Sequence, residues 1–266
     1  EIPNHVLGDV HVVNFNDVES IEYVVKRHSI AAIIMEPILQ NIGVVLPKPG
    51  YLEEVRRICT REGIVLIFDE VKTGFRHALG GYQSLCGVLP DLSVFGKAIA
   101  NGYPLAVVGG RREIMELVAD PDPARRVLIA GTYNAHPVPT KAAIATVQKL
   151  RALKDTIYPY LENLGQRLQQ GLEDLFREAE ITASISRQGS AFCAYFMDPL
   201  PVDWHDIAAH HDFEFDRAYR ATMIEEGVYY FPLPTKQASI SYAHTVEDID
   251  ETLERTRRAL ARLAKA

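Results

Sequence analysis

A carboxylate and an amine each follow a short apolar run of the sequence. Asp69 comes directly after the run at 64–68, Ile-Val-Leu-Ile-Phe, and Lys97 comes shortly after a second apolar run at 92–95. Such runs are typical of strands buried in a sheet. In an open α/β sheet, ligands bind outside the carboxyl ends of the strands. If the two runs are neighbouring parallel strands, both side chains lie at one ligand-binding edge.

These two groups suit pyridoxal phosphate. The cofactor needs an amine that holds its aldehyde as an imine. It also needs a carboxylate that keeps its ring nitrogen protonated, so that the ring accepts electrons from a substrate carbanion. Lys97 is the candidate for the amine and Asp69 for the carboxylate. Partial burial at the sheet edge would weaken the preference of the lysine for its charged form and make it a better nucleophile.

Two other classes of function remain open from these residues. An apolar strand that ends in Asp69-Glu70 also occurs in nucleotide hydrolases, where such carboxylates bind magnesium. That chemistry needs the loop Gly-x-x-x-x-Gly-Lys-Ser/Thr, whereas Gly96-Lys97 is followed here by Ala98. A nucleotide hydrolase would therefore need a phosphate loop outside this sequence. The other class is a protein with the same fold that binds no cofactor and serves as an interaction module. The presence of both Lys97 and Asp69 argues against it.

A series of motifs resembles the class III aminotransferases in residue type and in order. The likeness runs from about residue 30 to the end of the sequence, and it is greatest to the branch that contains the glutamate-1-semialdehyde aminomutases. Several ordered motifs together are far more specific than any one of them. They are Met35-Glu-Pro-Ile38, Gly43-Val-Val, Pro49-Gly-Tyr-Leu52, Asp69-Glu-Val-Lys-Thr-Gly-Phe-Arg76, Gly87-Val-Leu-Pro-Asp-Leu92, Phe95-Gly-Lys-Ala98, Asn101-Gly-Tyr-Pro104, Gly109-Gly-Arg-Arg-Glu-Ile-Met115 and Gly131-Thr132.

The resemblance implies a role for five residues of this sequence. Lys97 would form the Schiff base with pyridoxal 5'-phosphate and move the proton between substrate and cofactor, and Asp69 would pair with the pyridinium nitrogen. Val71, two positions on and on the same side of an extended chain, would pack against the ring face. Thr132 would donate to the cofactor phosphate across the interface of a homodimer, and Asn41 would approach the active site. Small-molecule amino donors and oxo acceptors would be the substrates.

Departures from the family pattern bear on the reaction. Many class III aminotransferases carry an arginine in the C-terminal domain that grips a substrate carboxylate. Residues 230–242 contain only Lys236 as a cation, an absence that fits the aminomutase-like branch. However, Lys72 replaces the apolar residue or glutamine expected after Asp-Glu-Val, and the stretches 101–104 and 131–137 differ from those of aminomutases. We therefore favour transfer of an amino group between an amino acid or amine and an oxo acid or aldehyde. An intramolecular aminomutase of the glutamate-1-semialdehyde type is the alternative.

Strands and helices alternate along the chain, which predicts an α/β fold with a mainly parallel sheet. We expect residues 1–150 to be part of a three-layer, pyridoxal-phosphate-binding large domain with a bridging helix, and residues 151–266 to be a smaller C-terminal α/β domain. The 266-residue sequence starts at Glu1, is much shorter than the family, and has no phosphate-cradling Ser-Gly-Thr or Gly-Ser segment before residue 30. We therefore expect the C-terminal part of a longer enzyme.

Periodicity and punctuation predict where these elements lie. Residues 51–62 read as a helix with one apolar face, opened by Pro49-Gly50 and closed by Gly63. Thr245 and Asp248 predict the N-cap of a final helix. The other predicted helices are at 111–119, 136–153, 158–180 and 216–226, and the predicted strands are at 31–35, 64–68, 92–95, 103–108, 181–186, 191–196, 228–231 and 239–242.

Composition argues against several partners. The net charge of -7 disfavours nucleic acid, whose binding needs clustered Lys and Arg. No apolar run approaches the roughly 20 residues that span a bilayer, so we expect no membrane anchor. Cys59, Cys86 and Cys193 are widely spaced and odd in number, which favours reduced thiols in the cytoplasm. The histidines and acids at 204–206 and 210–212 lack further ligand spacing, so we predict no metal site.

Overall fold

The computed structural model describes residues 3–264, so Glu1 lies outside the described residues. Its first sheet contains β1 (Ala32–Met35), β2 (Val65–Asp69), β3 (Leu92–Phe95) and β4 (Val107–Gly110), in the order β1-β2-β3-β4. The first three strands are parallel, and β4 runs antiparallel to β3. The strands predicted at 31–35, 64–68 and 92–95 are therefore confirmed to within one residue.

A second, antiparallel sheet has the order β5-β6-β7 and consists of β5 (Ser184–Gln188), β6 (Ala191–Tyr195) and β7 (Ala238–Ser239). Short 3₁₀ helices cover Lys97–Ala100 and Glu116–Ala119. Within residues 3–264, no helix is both long enough and apolar enough to cross a membrane. The α-helices are α1 (Asn4–Leu7), α2 (Val18–Val25), α3 (Tyr51–Glu62), α4 (Gln83–Cys86), α5 (Arg112–Met115), α6 (Pro137–Glu178), α7 (Trp204–His210), α8 (Phe213–Glu225) and α9 (Val246–Leu263).

Helices α3 and α9 follow the local signals in the sequence. Gly50 and Gly63 flank α3, and both adopt the left-handed backbone conformation that glycine tolerates without steric cost. The face of α3 that the periodicity marks as apolar is buried in the first core. At the start of α9, Thr245 and Asp248 form the predicted reciprocal capping box, which satisfies two backbone N–H groups.

The long helix α6 differs from the prediction. The sequence predicts separate helices at 136–153 and 158–180, but the structure has one continuous helix that contains Pro159. An internal proline costs a helix about 3 kcal/mol. Apolar side chains on either side of it are buried in the second core, and each buried side chain contributes about 1.5–3 kcal/mol, which outweighs that cost. Position 150 lies inside α6, and the division of the chain into domains there stays a prediction.

Four predicted strands are also wrong in part: those at 181–186 and 239–242 overlap β5 and β7 only partly, and those at 228–231 and 103–108 differ more. Residues 228–231 form no strand, because Val228 N–H bonds to Met223 O at the end of α8 and Phe231 O accepts from Arg220. The strand predicted at 103–108 is shifted to β4. Its glycines allow this shift, since a Cβ on Gly110 would lie 2.2 Å from the O atom of Asp91, which directly precedes the neighbouring strand β3.

Strand β6 forms a wall between two hydrophobic cores. Every residue of β6 is buried, and its side chains alternate between the cores as the two-residue period of a strand requires. Ala191, Cys193 and Tyr195 pack with the helices and strands of the first sheet. Phe192 and Ala194 pack instead with α6, α8 and α9. One strand therefore couples the two halves of the chain.

The Tyr195 side chain fixes a loop of the first half. Its hydroxyl donates to Ile42 O at 2.9 Å and accepts from Val44 N at 2.8 Å. Gly43, between them, has a φ of +109°, and a Cβ there would lie 2.0 Å from the hydroxyl oxygen. Burial raises the pKa of Tyr195 well above its ordinary value, so the hydroxyl stays a donor. Only glycine at position 43 allows this approach.

We expect Tyr195→Phe to lower the free energy of unfolding of the full-length protein by about 1–3 kcal/mol. The reason is that the buried Val44 N–H and the part-buried Ile42 O are left without their partner. Urea denaturation measures the change. Tyr23→Phe is the matched control, because Tyr23 is 58% exposed. An equal effect of the two substitutions would contradict the role given to the Tyr195 hydroxyl.

Candidate functional site

Asp69 and Lys97 follow neighbouring parallel strands. Asp69 is the last residue of β2 and pairs in register with Val94 of β3. Lys97 opens the 3₁₀ helix that follows β3. The carboxyl ends of parallel strands meet at one edge of a sheet, so the acid and the amine share the edge at which α/β proteins bind ligands.

The Asp69 carboxylate is half-buried and is held by the backbone. Its Oδ1 atom accepts a hydrogen bond from Val71 N at 2.9 Å. Among residues 3–264, its Oδ2 atom has no hydrogen-bond partner. The bond to Val71 turns the chain after β2 and fixes the direction of the carboxylate. One oxygen therefore remains for a ligand that offers a proton.

Lys97 has an unusual backbone conformation. Its φ of +45° lies in the left-handed region, which L-residues other than glycine and asparagine rarely adopt. The conformation costs on the order of 1–3 kcal/mol and occurs both at functional sites and, in this chain, at six other non-glycine residues. The Lys97 side chain is exposed, which differs from the partial burial expected from the sequence, and within the described chain its amine forms no hydrogen bond or ion pair. An amine held this way at a sheet edge can bond to a ligand.

Val71 provides an apolar surface between the two groups. Its side chain lies against Gly96, where a Cβ would be 3.3 Å from Val71 Cγ1. Gly96 directly precedes Lys97, so the valine methyl groups border the strand end from which the amine projects. An acid, an apolar wall and an amine thus follow one another along this edge.

Asn41 lies in a turn after β1, the next parallel strand. Its Nδ2 donates to Glu36 Oε1 at 3.0 Å, while Gln40 N donates to Glu36 Oε2 at 3.0 Å. The Asn41 carbonyl accepts from Lys236 Nζ at 2.7 Å. The Asn41 side chain is therefore bound by Glu36, and the residue lies at the same sheet edge as Asp69.

Within the described chain, Thr132 does not contact the other predicted site residues. It lies in a continuously exposed segment at 121–138 that precedes and enters α6. Among the described residues, no hydrogen bond joins Thr132 to Asp69, Val71 or Lys97. The structure thus gathers four of the five predicted residues at one edge and leaves the fifth on the surface.

Glu70 has a structural role that its position in the motif did not reveal. It is fully buried, and its carboxylate accepts from Thr73 Oγ1 at 2.8 Å, Tyr82 N at 2.7 Å and Gln83 N at 3.0 Å. A Cβ on Gly81 would lie 2.5 Å from Glu70 Oε1. The carboxylate therefore closes the 73–83 loop, and its contacts give no support to the nucleotide-hydrolase alternative.

The structure also reveals polar groups that the sequence reading missed. Gln40 and His77 are both buried, and Gln40 Nε2 lies 2.8 Å from His77 Nε2. Burial, together with the charge of Arg76, lowers the pKa of His77 to about 3, so the ring is neutral at pH 7 and accepts from Gln40. Lys72 Nζ donates to Gln40 O. No local motif signals these contacts, because their partners are distant in sequence.

The acids and histidines at 204–212 do not gather. Asp206 accepts from Val202 N within the turn that leads into α7, and His211 turns inward to Asp216. Over residues 3–264, no group of three or more histidine, cysteine, aspartate or glutamate side chains is arranged to hold a metal ion.

Comparison with known proteins identifies the family. The family model described as Aminotransferase class-III matches residues 4–260, and the chain belongs to this family. The chain is 40% identical to glutamate-1-semialdehyde 2,1-aminomutase 2 of Brevibacillus brevis over 266 residues, which cover 99% of this chain and 61% of that protein. It is also 40% identical to glutamate-1-semialdehyde 2,1-aminomutase of Syntrophus aciditrophicus, over 91% of this chain and 55% of that protein.

Solved structures agree with this assignment. An omega-transaminase from Sphaerobacter thermophilus superposes with a TM-score of 0.86 at 30% identity, over 97% of this chain and 58% of that one. The FumI protein of Sphingopyxis sp. MTA144, solved as its PLP internal aldimine form, gives a TM-score of 0.79 at 28% identity, over 94% and 56%. The predicted α/β fold of the pyridoxal-phosphate transferases is thereby confirmed. The chain spans about three-fifths of the length of the relatives it matches.

We expect the buried His77 ring to make stability depend on pH. In the unfolded chain a histidine takes up a proton near pH 6.5, whereas folded His77 resists protonation down to about pH 3. The unfolded state therefore binds more protons between these values. The free energy of unfolding falls as the pH drops below 6.5, by about 1.4 kcal/mol per pH unit for this one group.

The variant His77→Gln cannot take up this proton, so its unfolding free energy should fall less steeply between pH 6.5 and pH 5. We expect a difference of about 2 kcal/mol over that range, measured by urea denaturation. His205→Gln is the control, because the His205 side chain is 71% exposed. Parallel pH profiles for the parent and His77→Gln would refute the role of burial at His77.

Proposed function

We propose that the protein to which this chain belongs is a pyridoxal-phosphate-dependent aminotransferase of the aminomutase-like branch. It transfers an amino group between an amino acid or amine and an oxo acid or aldehyde. The observation that carries the proposal is the placement of Asp69 and Lys97 at the ends of neighbouring parallel strands, with Val71 between them. Membership of the class III aminotransferase family supports it.

The residues present fit pyridoxal phosphate. Asp69 keeps one oxygen without a partner in the described chain, Val71 offers an apolar face, and the Lys97 amine is uncommitted. A carboxylate, an apolar face and an amine suit, respectively, the ring nitrogen, the flat ring and the aldehyde of the cofactor. Asp69 would hold the ring nitrogen, Val71 one ring face and Lys97 the aldehyde. When bound, the cofactor supplies an electron sink for the substrate carbon that loses its proton.

The protein side of the reaction divides between these residues. Lys97 Nζ would take the proton from the amine-bearing carbon of the substrate and deliver it to the carbon that receives the amino group, which is general acid–base catalysis. The Asp69 carboxylate would keep the ring nitrogen protonated, so that the ring draws electrons from the substrate carbon as that carbon loses its proton. Val71 excludes water from one side of the reacting groups. In the second half of the reaction an oxo acceptor binds, and Lys97 would move the proton in the opposite direction, onto the carbon of that acceptor.

We also propose a homodimer in which Thr132 contacts the cofactor phosphate of the neighbouring site. The support is the surface around it: Val127, Leu128, Ile129 and Tyr133 are all at least half exposed, the most exposed of them being Leu128 at 85%. Contiguous exposed apolar side chains mark interaction surfaces. A cytoplasmic location is part of the same proposal, and the three free cysteines support it.

The intramolecular aminomutase is the second candidate. The two relatives at 40% identity carry that name, which favours it, whereas Lys72 departs from the family pattern and favours the aminotransferase. An amino donor labelled with ¹⁵N separates the two. An aminotransferase passes the label to a different molecule, the oxo acceptor. An aminomutase keeps the label among molecules of its own isomerised substrate and aminates no separate oxo acceptor.

We expect the full-length protein to absorb visible light when pyridoxal phosphate is added, because Lys97 bonds to the cofactor aldehyde. Borohydride should abolish this absorbance and attach the cofactor mass to Lys97, as peptide mass spectrometry reads out. Lys97→Ala should lose both the absorbance and turnover, whereas Lys149→Ala, on the exposed face of α6, should keep both. Attachment at another lysine, or no attachment at all, would overturn the proposal and leave the interaction module in its place.

Asp69→Asn should slow proton removal from the substrate by roughly 10²–10³-fold, since the ring nitrogen loses its counter-charge. Asparagine keeps the Oδ1 atom that accepts from Val71 N, so the turn after β2 should persist. Single-turnover absorbance measurements follow the step directly. Equal rates for parent and variant, with cofactor bound in both, would contradict the role of Asp69.

A further inference from the structure

Two lysines from distant parts of the chain donate to consecutive carbonyl groups. Lys72 Nζ lies 2.5 Å from Gln40 O, and Lys236 Nζ lies 2.7 Å from Asn41 O. Neighbouring Cα atoms are about 3.8 Å apart, so both ammonium groups converge on one turn. The turn follows β1 at the sheet edge that also carries Asp69.

The turn itself is held firmly. Glu36 accepts from Gln40 N with one carboxylate oxygen and from Asn41 Nδ2 with the other, both at 3.0 Å. The Gln40 side chain is buried against His77. The two carbonyl groups that receive the lysines therefore have fixed positions.

A buried polar network holds the segment that carries Lys236. Asp216 accepts from Thr235 N at 2.7 Å and from His211 Nε2 at 3.0 Å, and it also binds Arg220 Nε. All four residues are buried. Thr235 adopts a positive φ of +57° just before Lys236. The network thus fixes the backbone from which Lys236 reaches the turn.

The charges at this place are not balanced. Within the described chain, neither Lys72 nor Lys236 forms an ion pair. Burial lowers the pKa of Lys72; Glu36 opposes this, while the charges of Lys236, Lys97 and Arg76 lower the pKa further. Lys72 thus interacts with three other cationic side chains and with one carboxylate in a partly desolvated place. Such a cluster attracts an anion.

We propose that Lys72 and Lys236 bind the carboxylate of the substrate and so select amino acids and oxo acids over simple amines and aldehydes. The inference rests on the proposed function, because Lys97 marks where the reacting carbon lies. Each ammonium group has three N–H donors and spends one on a backbone carbonyl, so donors remain for a carboxylate. Ammonium groups act as point charges, so the pair tolerates carboxylates at different angles.

A purely structural role for the lysines makes a different prediction. If they serve only to lock the turn, replacing them lowers the melting temperature and leaves the preference for a carboxylate unchanged. The measured preference therefore separates binding from support. Methionine is the suitable replacement, because it keeps the apolar stem and removes the charge.

The test uses the full-length protein, with butyrate as probe and butyramide as its neutral counterpart. Calorimetry at constant ionic strength gives the affinity for each, and melting curves are recorded in parallel. We expect Lys72→Met and Lys236→Met each to weaken butyrate binding by about 10-fold or more, as loss of a charged hydrogen bond does. Butyramide binding should not change. Lys149→Met is the matched control and should bind both probes like the parent.

A second readout uses the reaction. With the cofactor loaded, the ratio of the single-turnover rate for 3-aminopropanoate to that for propylamine should be lower in Lys72→Met and Lys236→Met than in the parent. In Lys72→Arg, which keeps the positive charge, this ratio should lie between those of Lys72→Met and the parent. Absence of butyrate binding by the parent, or equal butyrate binding by the parent and both methionine variants, overturns this inference. Loss of the Lys97–cofactor bond in the parent overturns the proposed function instead, and the butyrate titration still reports on the lysines.

Discussion

The site depends on the parallel pairing of β2 with β3. The pairing aligns Asp69 with Val94 and so places the acid beside the chain that leads to Lys97. A slip of one residue would turn every side chain of β2 to the opposite face of the sheet. Asp91 opposes such a slip, because its N–H donates to Leu66 O and its carboxylate accepts from Leu66 N at 2.7 Å. Burial works against the Asp91 charge, but the bonds from Leu66, Arg56 and Arg111 outweigh it and lower its pKa.

A second constraint joins this sheet to the rest of the chain. Strand β6 is buried on both faces, and Tyr195 projects from it to grip the loop around Gly43. That loop follows directly on the turn at 40–41, which both lysines contact. The position of the turn is therefore set by packing between the two cores as well as by its own hydrogen bonds. Lys236 reaches the same turn from the segment between Tyr230 and Ala238, which both pack in the second core, so the two halves of the chain meet at this turn.

Local signals in the sequence predicted some of this and missed the rest for physical reasons. The apolar strands, the helix at 51–62 and the ends that carry Asp69 and Lys97 follow from patterns within a few residues. The continuity of α6 through Pro159 depends on burial in the second core, which no local pattern reports. The lysine contacts join residues separated by 32 and 195 positions, so no motif could show them. Only the resemblance to class III aminotransferases pointed to Val71.

The charged side chains at the sheet edge are all oriented in the same way, and this arrangement leaves their charges able to interact with a ligand. Asp69 is held by Val71 N, Lys72 by Gln40 O and Lys236 by Asn41 O, so each charge is oriented by the backbone and not by an opposite charge. Mutual ion pairs would orient these groups equally well but would neutralise them. A backbone dipole fixes the direction of a charged side chain but neutralises little of its charge. Most of the electric field of that charge can therefore act on a ligand, which is the condition for electrostatic preorganisation. The left-handed backbone at Lys97 is a local strain of the same edge, and among residues 3–264 the Lys97 amine forms no hydrogen bond or ion pair.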